Sequence, residues 1–341
     1  MSHERTIMSI SRPTFTLVLA GAAAAAALGA TTIPLLGHHV ASALHVLAGA
    51  SRPWLVGSFV AFLGAFACTV GAWRSALAAA GARLCPKQAA SRLAIGSMVN
   101  AFTPAKLGDA VKITLCARAI DAPDRMWTAT GTYTALAAAR SLTLAGLVVA
   151  ASATHALPIW PVFLLVGCAA GVALAATAST RFRRHHRIAS FLEGVGSLAR
   201  DRGALRGVAI WTVGMQLSRL AGTFAVVLAL GLPHPFLAAL VILPALDLAG
   251  AVPVTPGSFG VGSGAVAVVL ASRGIGMTDA LATGLAIQGV ETLVSVTCGS
   301  LGLAYLVQPS ERVKRVATRA ALVGAAATFA AVLGATILEL V

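Results

Sequence analysis

The sequence predicts an all-α, polytopic membrane protein of about eight transmembrane helices with two short broken or re-entrant segments. Three observations lead there. Of 341 residues, 58% are hydrophobic and 11% charged, whereas a soluble domain carries roughly 25% charged residues. Mean hydropathy is +0.87, and a soluble chain of this composition could not cover its core with polar surface. Several runs, including 14–36, 54–73 and 320–341, are mostly apolar over about 20 residues, the length that crosses a hydrocarbon core. The basic residues gather in the connections between such runs.

Taken in order, the apolar runs predict spans near 14–36, 54–79, 132–154, 159–179, 207–231, 235–255, 280–307 and 319–341. Arg5 and Arg12 precede the first run, as in a signal peptide, but a secretory h-region has only about 7–15 residues. The first run exceeds that, so an uncleaved first span is expected. Two further apolar pieces, 91–103 and 257–271, are too short to cross comfortably, and each adjoins a proline- and glycine-containing break. The whole chain, 1–341, reads as one membrane domain. Its halves, 14–179 and 207–341, are joined by the basic loop 180–206, which reads as an interfacial helix or linker.

The net charge of +14 would suggest nucleic acid in a soluble chain. Here it excludes that partner, because the basic residues mark cytoplasmic loops and attract anionic headgroups. With the N-terminus taken as cytoplasmic, 21 of the 25 lysines and arginines face inward. Arg52 and Arg273 face outward, and Arg140 and Arg219 fall within spans. The run Arg181-Phe182-Arg183-Arg184-His185-His186-Arg187 reads as part of an ordinary inside loop, with an anionic-lipid patch as the sharper alternative. The expected location is a multi-pass plasma membrane position. The excess of arginine and alanine suggests a GC-rich bacterial genome.

Charge placement also constrains the short pieces. Residues 80–92 and 105–126 are both basic, so 91–103 should dip in and return. Around Pro256 the chain leaves from outside and comes back outside. It forms either a full crossing and return or two half-helices, and Pro253, Pro256, Gly257 and Gly260 favour the second, because they break a helix.

The stretches most able to carry chemistry are these breaks. The first is Asn100-Ala101-Phe102-Thr103-Pro104-Ala105-Lys106-Leu107-Gly108-Asp109-Ala110-Val111-Lys112. The second is Pro253-Val254-Thr255-Pro256-Gly257-Ser258-Phe259-Gly260-Val261-Gly262. Irregular backbone at membrane depth must be buried in protein or line a wet cavity. A helix restarting there aims free N–H groups and its positive dipole end into that cavity, which suits phosphate or carboxylate.

Both stretches resemble the transmembrane region of the lysylphosphatidylglycerol synthase family, also called flippase-like membrane proteins. Asn100, Pro104, Lys106, Gly108, Asp109 and Lys112 match the family's first motif in order. Pro256, Gly257, Gly260 and Val261 match its Pro-Gly-Gly-Leu-Gly-Val pattern, with Ser258 and Phe259 as replacements. Trp73-Arg74 resembles its early arginine. The sequence departs from the family at three places: Arg140 lacks its acidic neighbours, Ser263 stands for a glutamate, and Gln288 for an arginine. The resemblance implies a protein that handles a polar-headed or lipid-linked substrate. The best-known members move an aminoacylated phospholipid between leaflets and carry a soluble transferase domain. This chain stops at Val341, so it is not expected to aminoacylate lipids alone.

Arg140, Arg219, Asp247 and Glu291 lie inside spans. Each costs roughly 2.5–3.5 kcal/mol at a helix centre on insertion scales, so each should face the protein interior with a partner. They read either as a headgroup or proton site, or as buried salt bridges fixing helix packing. Pro104 precedes Arg140, and Pro256 precedes Glu291, at nearly the same spacing, which suggests an inverted repeat with a site between its halves. No nucleophile–base–acid set is visible, so a non-enzyme is favoured. His38-His39 and His185-His186 lack metal-site spacing, and the five cysteines read as small hydrophobes. Neither a metal nor a cofactor is expected.

The leading expectation is therefore a transporter or flippase for a polar-headed or lipid-linked substrate. Asn100, Pro104, Lys106, Gly108, Asp109, Lys112, Arg140, Pro256, Gly257, Gly260 and Glu291 would form its site. The alternative is a membrane-embedded transferase, or an accessory subunit that partners an enzyme of envelope lipid or glycan assembly.

Overall fold

The computed structural model describes residues 42–103, 107–121, 124–153, 186–250 and 260–306. The expected spans 14–36, 159–179 and 319–341 lie outside these residues, as do the basic cluster 181–185 and the site residues Pro104, Lys106, Pro256 and Gly257. All regular structure among the described residues is helical. After a short helical stretch at 42–48 come α1 (Arg52–Ala79), α2 (Pro86–Phe102), α3 (Leu107–Ala117), α4 (Arg125–Ala153), α5 (His186–Arg200), α6 (Arg202–Ala229), α7 (Pro235–Ala249), α8 (Val261–Ala271) and α9 (Met277–Leu306).

Among the described residues, four helices, α1, α4, α6 and α9, are long and apolar enough to cross a membrane, and they carry the expected spans 54–79, 132–154, 207–231 and 280–307. Their outer faces present large apolar side chains, among them Val56, Leu142, Ile210 and Leu301. Such exposure suits lipid contact rather than water. Of the expected span 235–255, α7 has 15 residues and is followed by Gly250; residues 251–255 lie outside the described residues. At 1.5 Å per residue α7 reaches only about 22 Å, short of the roughly 30 Å core.

Local sequence explains the boundaries. Proline occupies the first turn of α1, α2 and α7, where its missing N–H costs no helical bond. Asp201 caps α6 by accepting from the backbone N–H groups of Gly203 (2.8 Å) and Ala204 (3.1 Å), satisfying two orphan donors. Gly81 and Gly231 follow α1 and α6 with φ of +85° and +68°, a left-handed conformation that halts a helix and favours glycine.

The order of lengths recurs along the chain. Helices α1 to α4 have 28, 17, 11 and 29 residues; α6 to α9 have 28, 15, 11 and 30. The corresponding helices α1 and α6 pack antiparallel. Ser51 N–H donates to Ala229 O at 2.9 Å at one end, while Gly207 lies against Ser75 near the other. Between them, Gly64 faces Ser218 and Gly214 faces Cys68. Small residues at these crossings let the backbones approach closely.

Two buried clusters identify the two ends of the bundle. One joins Leu77 of α1 and Ala82 and Leu84 after it with Cys116 and Ala117 of α3, Ile120 after it, Ala129 of α4 and Val208 of α6. The basic residues Arg74, Arg83, Arg118, Arg125, Arg202 and Arg206 belong to this end by position. The other cluster joins Val226 and Val227 of α6 with Leu232, Ala238 of α7, Leu270 of α8 and Ala280 and Leu281 of α9. Thus α2 and α3 form a hairpin that enters and leaves through the basic end. Helices α7 and α8 form a second that enters and leaves through the opposite end. The break expected at Pro253, Pro256 and Gly257, between α7 and α8, lies outside the described residues.

The first hairpin is held by α9, whose Gly302 and Gly299 pack on Ser91, Ala94 and Met98 of α2. The second packs on α9 through Gly284, which meets the Ser263 backbone. Helix α5 lies across the start of α4, with Gly131 against the Phe191 carbonyl and Gly194 against the Thr128 carbonyl.

A Cβ on Gly302 would stand 2.8 Å from the Ser91 carbonyl oxygen, whereas one on Gly289 of the same helix meets nothing within 4 Å. Gly302→Ala should destabilise the detergent-solubilised protein by about 1–3 kcal/mol through overpacking, lowering its unfolding temperature. Gly289→Ala should leave that temperature unchanged or raise it, as alanine is the better helix former.

Candidate functional site

The tip of the first hairpin is organised by one carboxylate. Asp109 Oδ1 accepts from Asn100 Nδ2 at 2.8 Å and from Lys112 Nζ at 3.0 Å, and Asp109 Oδ2 accepts from the Tyr133 hydroxyl at 2.8 Å. Helices α2, α3 and α4 are thereby joined. The motif spacing has a steric reason. A Cβ on Gly108 would collide with the Gly96 carbonyl and the Asn100 side chain, and one on Gly96 with the Lys112 side chain. Glycine at both positions lets α2 and α3 cross closely enough for Asn100 to reach Asp109. Trp73 of α1 supports Tyr133, with ring centroids 5.8 Å apart. Its neighbour Arg74 donates instead to the Leu84 carbonyl at 3.2 Å and secures the α1–α2 turn.

Helix α3, with 11 residues, is too short to cross the membrane. Burial pushes the Asp109 carboxyl up. The adjacent Lys112 ammonium, with hydrogen bonds from Lys112, Tyr133 and Asn100, more than offsets burial and holds the carboxyl below its ordinary value.

The second cluster gathers all four membrane charges. Asp247 Oδ1 accepts from Arg140 at 2.9 Å and from Arg219 at 2.7 Å. Arg219 also lies 3.6 Å from Glu291 Oε1 and 3.5 Å from Gln216 Oε1. One acid on the short α7 therefore binds the long helices α4 and α6, and Arg219 continues the chain to α9. Burial is uneven: the Arg219 and Asp247 side chains are 11% and 9% exposed, Arg140 48% and Glu291 37%.

Both clusters border one cavity of about 540 Å³. Asn100, Thr103, Asp109 and Lys112 reach it from the first hairpin, and Leu246, Asp247, Gly250 and Gly262 from the second. Tyr133 and Arg140 line it from α4, Arg219 from α6, and Gln288 and Glu291 from α9. Seven residues, two helical turns, separate Tyr133 from Arg140, so the clusters lie about 10 Å apart along one face of α4.

Of the sequence-predicted residues, the structure brings Asn100, Asp109, Lys112, Arg140 and Glu291 to the cavity. Gly108 shapes the crossing beneath it. Gly260 is exposed and precedes α8 with φ +88°, so it redirects the backbone rather than lining the cavity. Two departures from the family pattern fall close by: Ser263 is buried in α8, and Gln288 lies against Gly262. The site also uses Tyr133, Arg219 and Asp247. Arg219 and Asp247 were visible as membrane charges. Tyr133 was signalled only by its two-turn spacing from Arg140 on the same helix.

Removing the shared acid leaves Arg219 buried with Glu291 at 3.6 Å and Arg140 without its partner. Asp247→Ala should therefore destabilise the protein by about 3–5 kcal/mol, the usual cost of breaking a buried pair. Arg219→Met combined with Asp247→Leu should cost less than Asp247→Ala alone, because no buried arginine remains. Unfolding in detergent measures both.

The comparisons fall into place on this geometry. No curated protein matches the chain. The family described as Lysylphosphatidylglycerol synthase TM region matches residues 17–299, a stretch that contains both hairpins, all four crossing helices through Gly299, and every residue of the two charge clusters. The chain belongs to the lysylphosphatidylglycerol synthase TM-region family of membrane proteins.

Proposed function

We propose that this protein moves a polar-headed or lipid-linked substrate between the leaflets of a plasma membrane, with its basic end in the cytoplasm. The observation that carries the reading is the shared cavity. Two pairs of short helices enter the bundle from opposite ends, and residues beside their connections, Asn100, Thr103 and Asp109 in one and Gly250 and Gly262 in the other, border the same charged hollow. Transporters built from inverted halves keep their substrate sites at such interfaces of discontinuous helices. The recurring helix lengths and the antiparallel α1–α6 pair support two inverted halves here, the first ending with α4 and the second beginning with α6.

In this reading Arg140 and Lys112 attract the anionic part of the headgroup. Arg140 is the accessible cation, half exposed with one nitrogen on Asp247. Asp109 orients Lys112 rather than binding substrate, and Tyr133 fixes Asp109. The start of α8, where Gly262 faces the cavity, adds backbone donors with a positive dipole end. The lipid tails remain outside, along the apolar faces of the crossing helices.

Arg140→Glu places a negative charge beside Asp247 at a half-exposed position, so the fold should persist while the anion site is lost. Transbilayer movement of fluorescent phospholipid in reconstituted vesicles should fall at least about tenfold, as for loss of a charged contact worth ~1.4 kcal/mol or more. Unchanged movement would remove Arg140 from the site.

A further inference from the structure

We propose that this protein carries a proton together with each anionic headgroup, and that Glu291 is the residue that binds it. The inference rests on the transport reading above and adds the ion that travels with the substrate. It stands on the unequal ties of the three carboxylates on the cavity wall.

The charged side chains there form two balanced sets. In one, Lys112 pairs with Asp109 at 3.0 Å. In the other, the guanidiniums of Arg140 and Arg219 stand with the carboxylates of Asp247 and Glu291. A headgroup anion drawn to Arg140 therefore brings an uncompensated negative charge toward Asp247, which holds the same guanidinium at 2.9 Å. At membrane depth such repulsion is weakly screened. A proton on one carboxylate cancels it.

The geometry selects the carboxylate. Asp109 accepts from Asn100, Lys112 and Tyr133. Asp247 accepts from two guanidiniums, both within 3 Å. Glu291 faces Arg219 at the longer distance of 3.6 Å, and that arginine is already engaged on Asp247 at 2.7 Å. Glu291 therefore loses least by becoming neutral, and Arg219 keeps its nearer acid. Glu291 is also the most exposed of the three, at 37% against 19% for Asp109 and 9% for Asp247, so water in the cavity can reach it with a proton.

The surroundings leave Arg219 as its charged neighbour. Helix α9 packs on α1, α2, α6 and α8. Among the described residues of these helices that border the cavity, Arg219 of α6 is charged, while those of α1, α2 and α8, including Thr69, Asn100 and Gly262, are not. Asp247 and Arg140 join from α7 and α4 through Arg219. On α9 itself, Asp279 stands about 18 Å away along the helix. Anion and proton then favour each other's binding by the same factor. The proton enters from the water on the side where the headgroup enters and leaves to the water on the other side. The pair crosses without net charge, so the membrane potential does not oppose it.

Two measurements on the full chain test this. The first is proton uptake by detergent-purified protein in weak buffer, from mildly acidic to neutral pH, when short-chain phosphatidylglycerol is added. That lipid carries one fixed negative charge, and phosphatidylcholine of equal chain length is the comparison. At the best pH the protein should take up about one proton per bound phosphatidylglycerol, and none with phosphatidylcholine. Glu291→Gln should take up none, and Glu291→Asp, which keeps a carboxyl, should restore uptake. The second is the leaflet distribution of fluorescent phosphatidylglycerol in vesicles under a pH gradient of about one unit, with the membrane potential clamped to zero. Enrichment in the leaflet facing the more alkaline side should approach about tenfold, above that of protein-free vesicles, and Glu291→Gln should abolish the excess. Absence of uptake, or equal uptake by Glu291→Gln, overturns the proposal. Movement that ignores the gradient overturns the coupling and leaves the transport reading standing. Uptake without movement would defeat the transport reading and leave the proton site standing.

Discussion

An interrupted helix inside hydrocarbon has no solvent for its open N–H and C=O groups, and a lone charge there has none either. Both must therefore turn toward other protein or toward enclosed water. That constraint organises the bundle. Helices α2–α3 and α7–α8 enter without crossing, and the polar groups around their tips face one another across a common hollow. The four membrane charges do the same, ending in a chain from Arg140 through Asp247 and Arg219 to Glu291.

Two devices hold this arrangement with little polar material. Small residues form the crossings, so that α1 meets α6, and α9 meets α2, at backbone distance. Single carboxylates then tie several helices at once: Asp109 joins α2, α3 and α4, while Asp247 joins α4, α6 and α7. Helix α4 takes part in both ties through Tyr133 and Arg140, and so sets the distance between them.

Much of this was legible in the sequence, for identifiable reasons. Apolar run length located α1, α4, α6 and α9, because span length is set by the bilayer. The distribution of arginine and lysine required 91–103 to return to the side it came from, and the α2–α3 hairpin does so. The short helices α7 and α8 stand on either side of the proline- and glycine-containing run 253–260. Charges within spans had to pair, and they do. The place of Tyr133 depends on how distant helices approach, which no local pattern encodes.

The central claim is that a water-accessible hollow lies at membrane depth between the two hairpin tips. In a background with its native cysteines replaced, Ser97→Cys and Ser295→Cys on the cavity lining should react with a membrane-impermeant maleimide in reconstituted vesicles. Ile210→Cys and Val268→Cys, on outward apolar faces, should not. Unreactive cavity positions, labelled no faster than the two lipid-facing ones, would contradict the account.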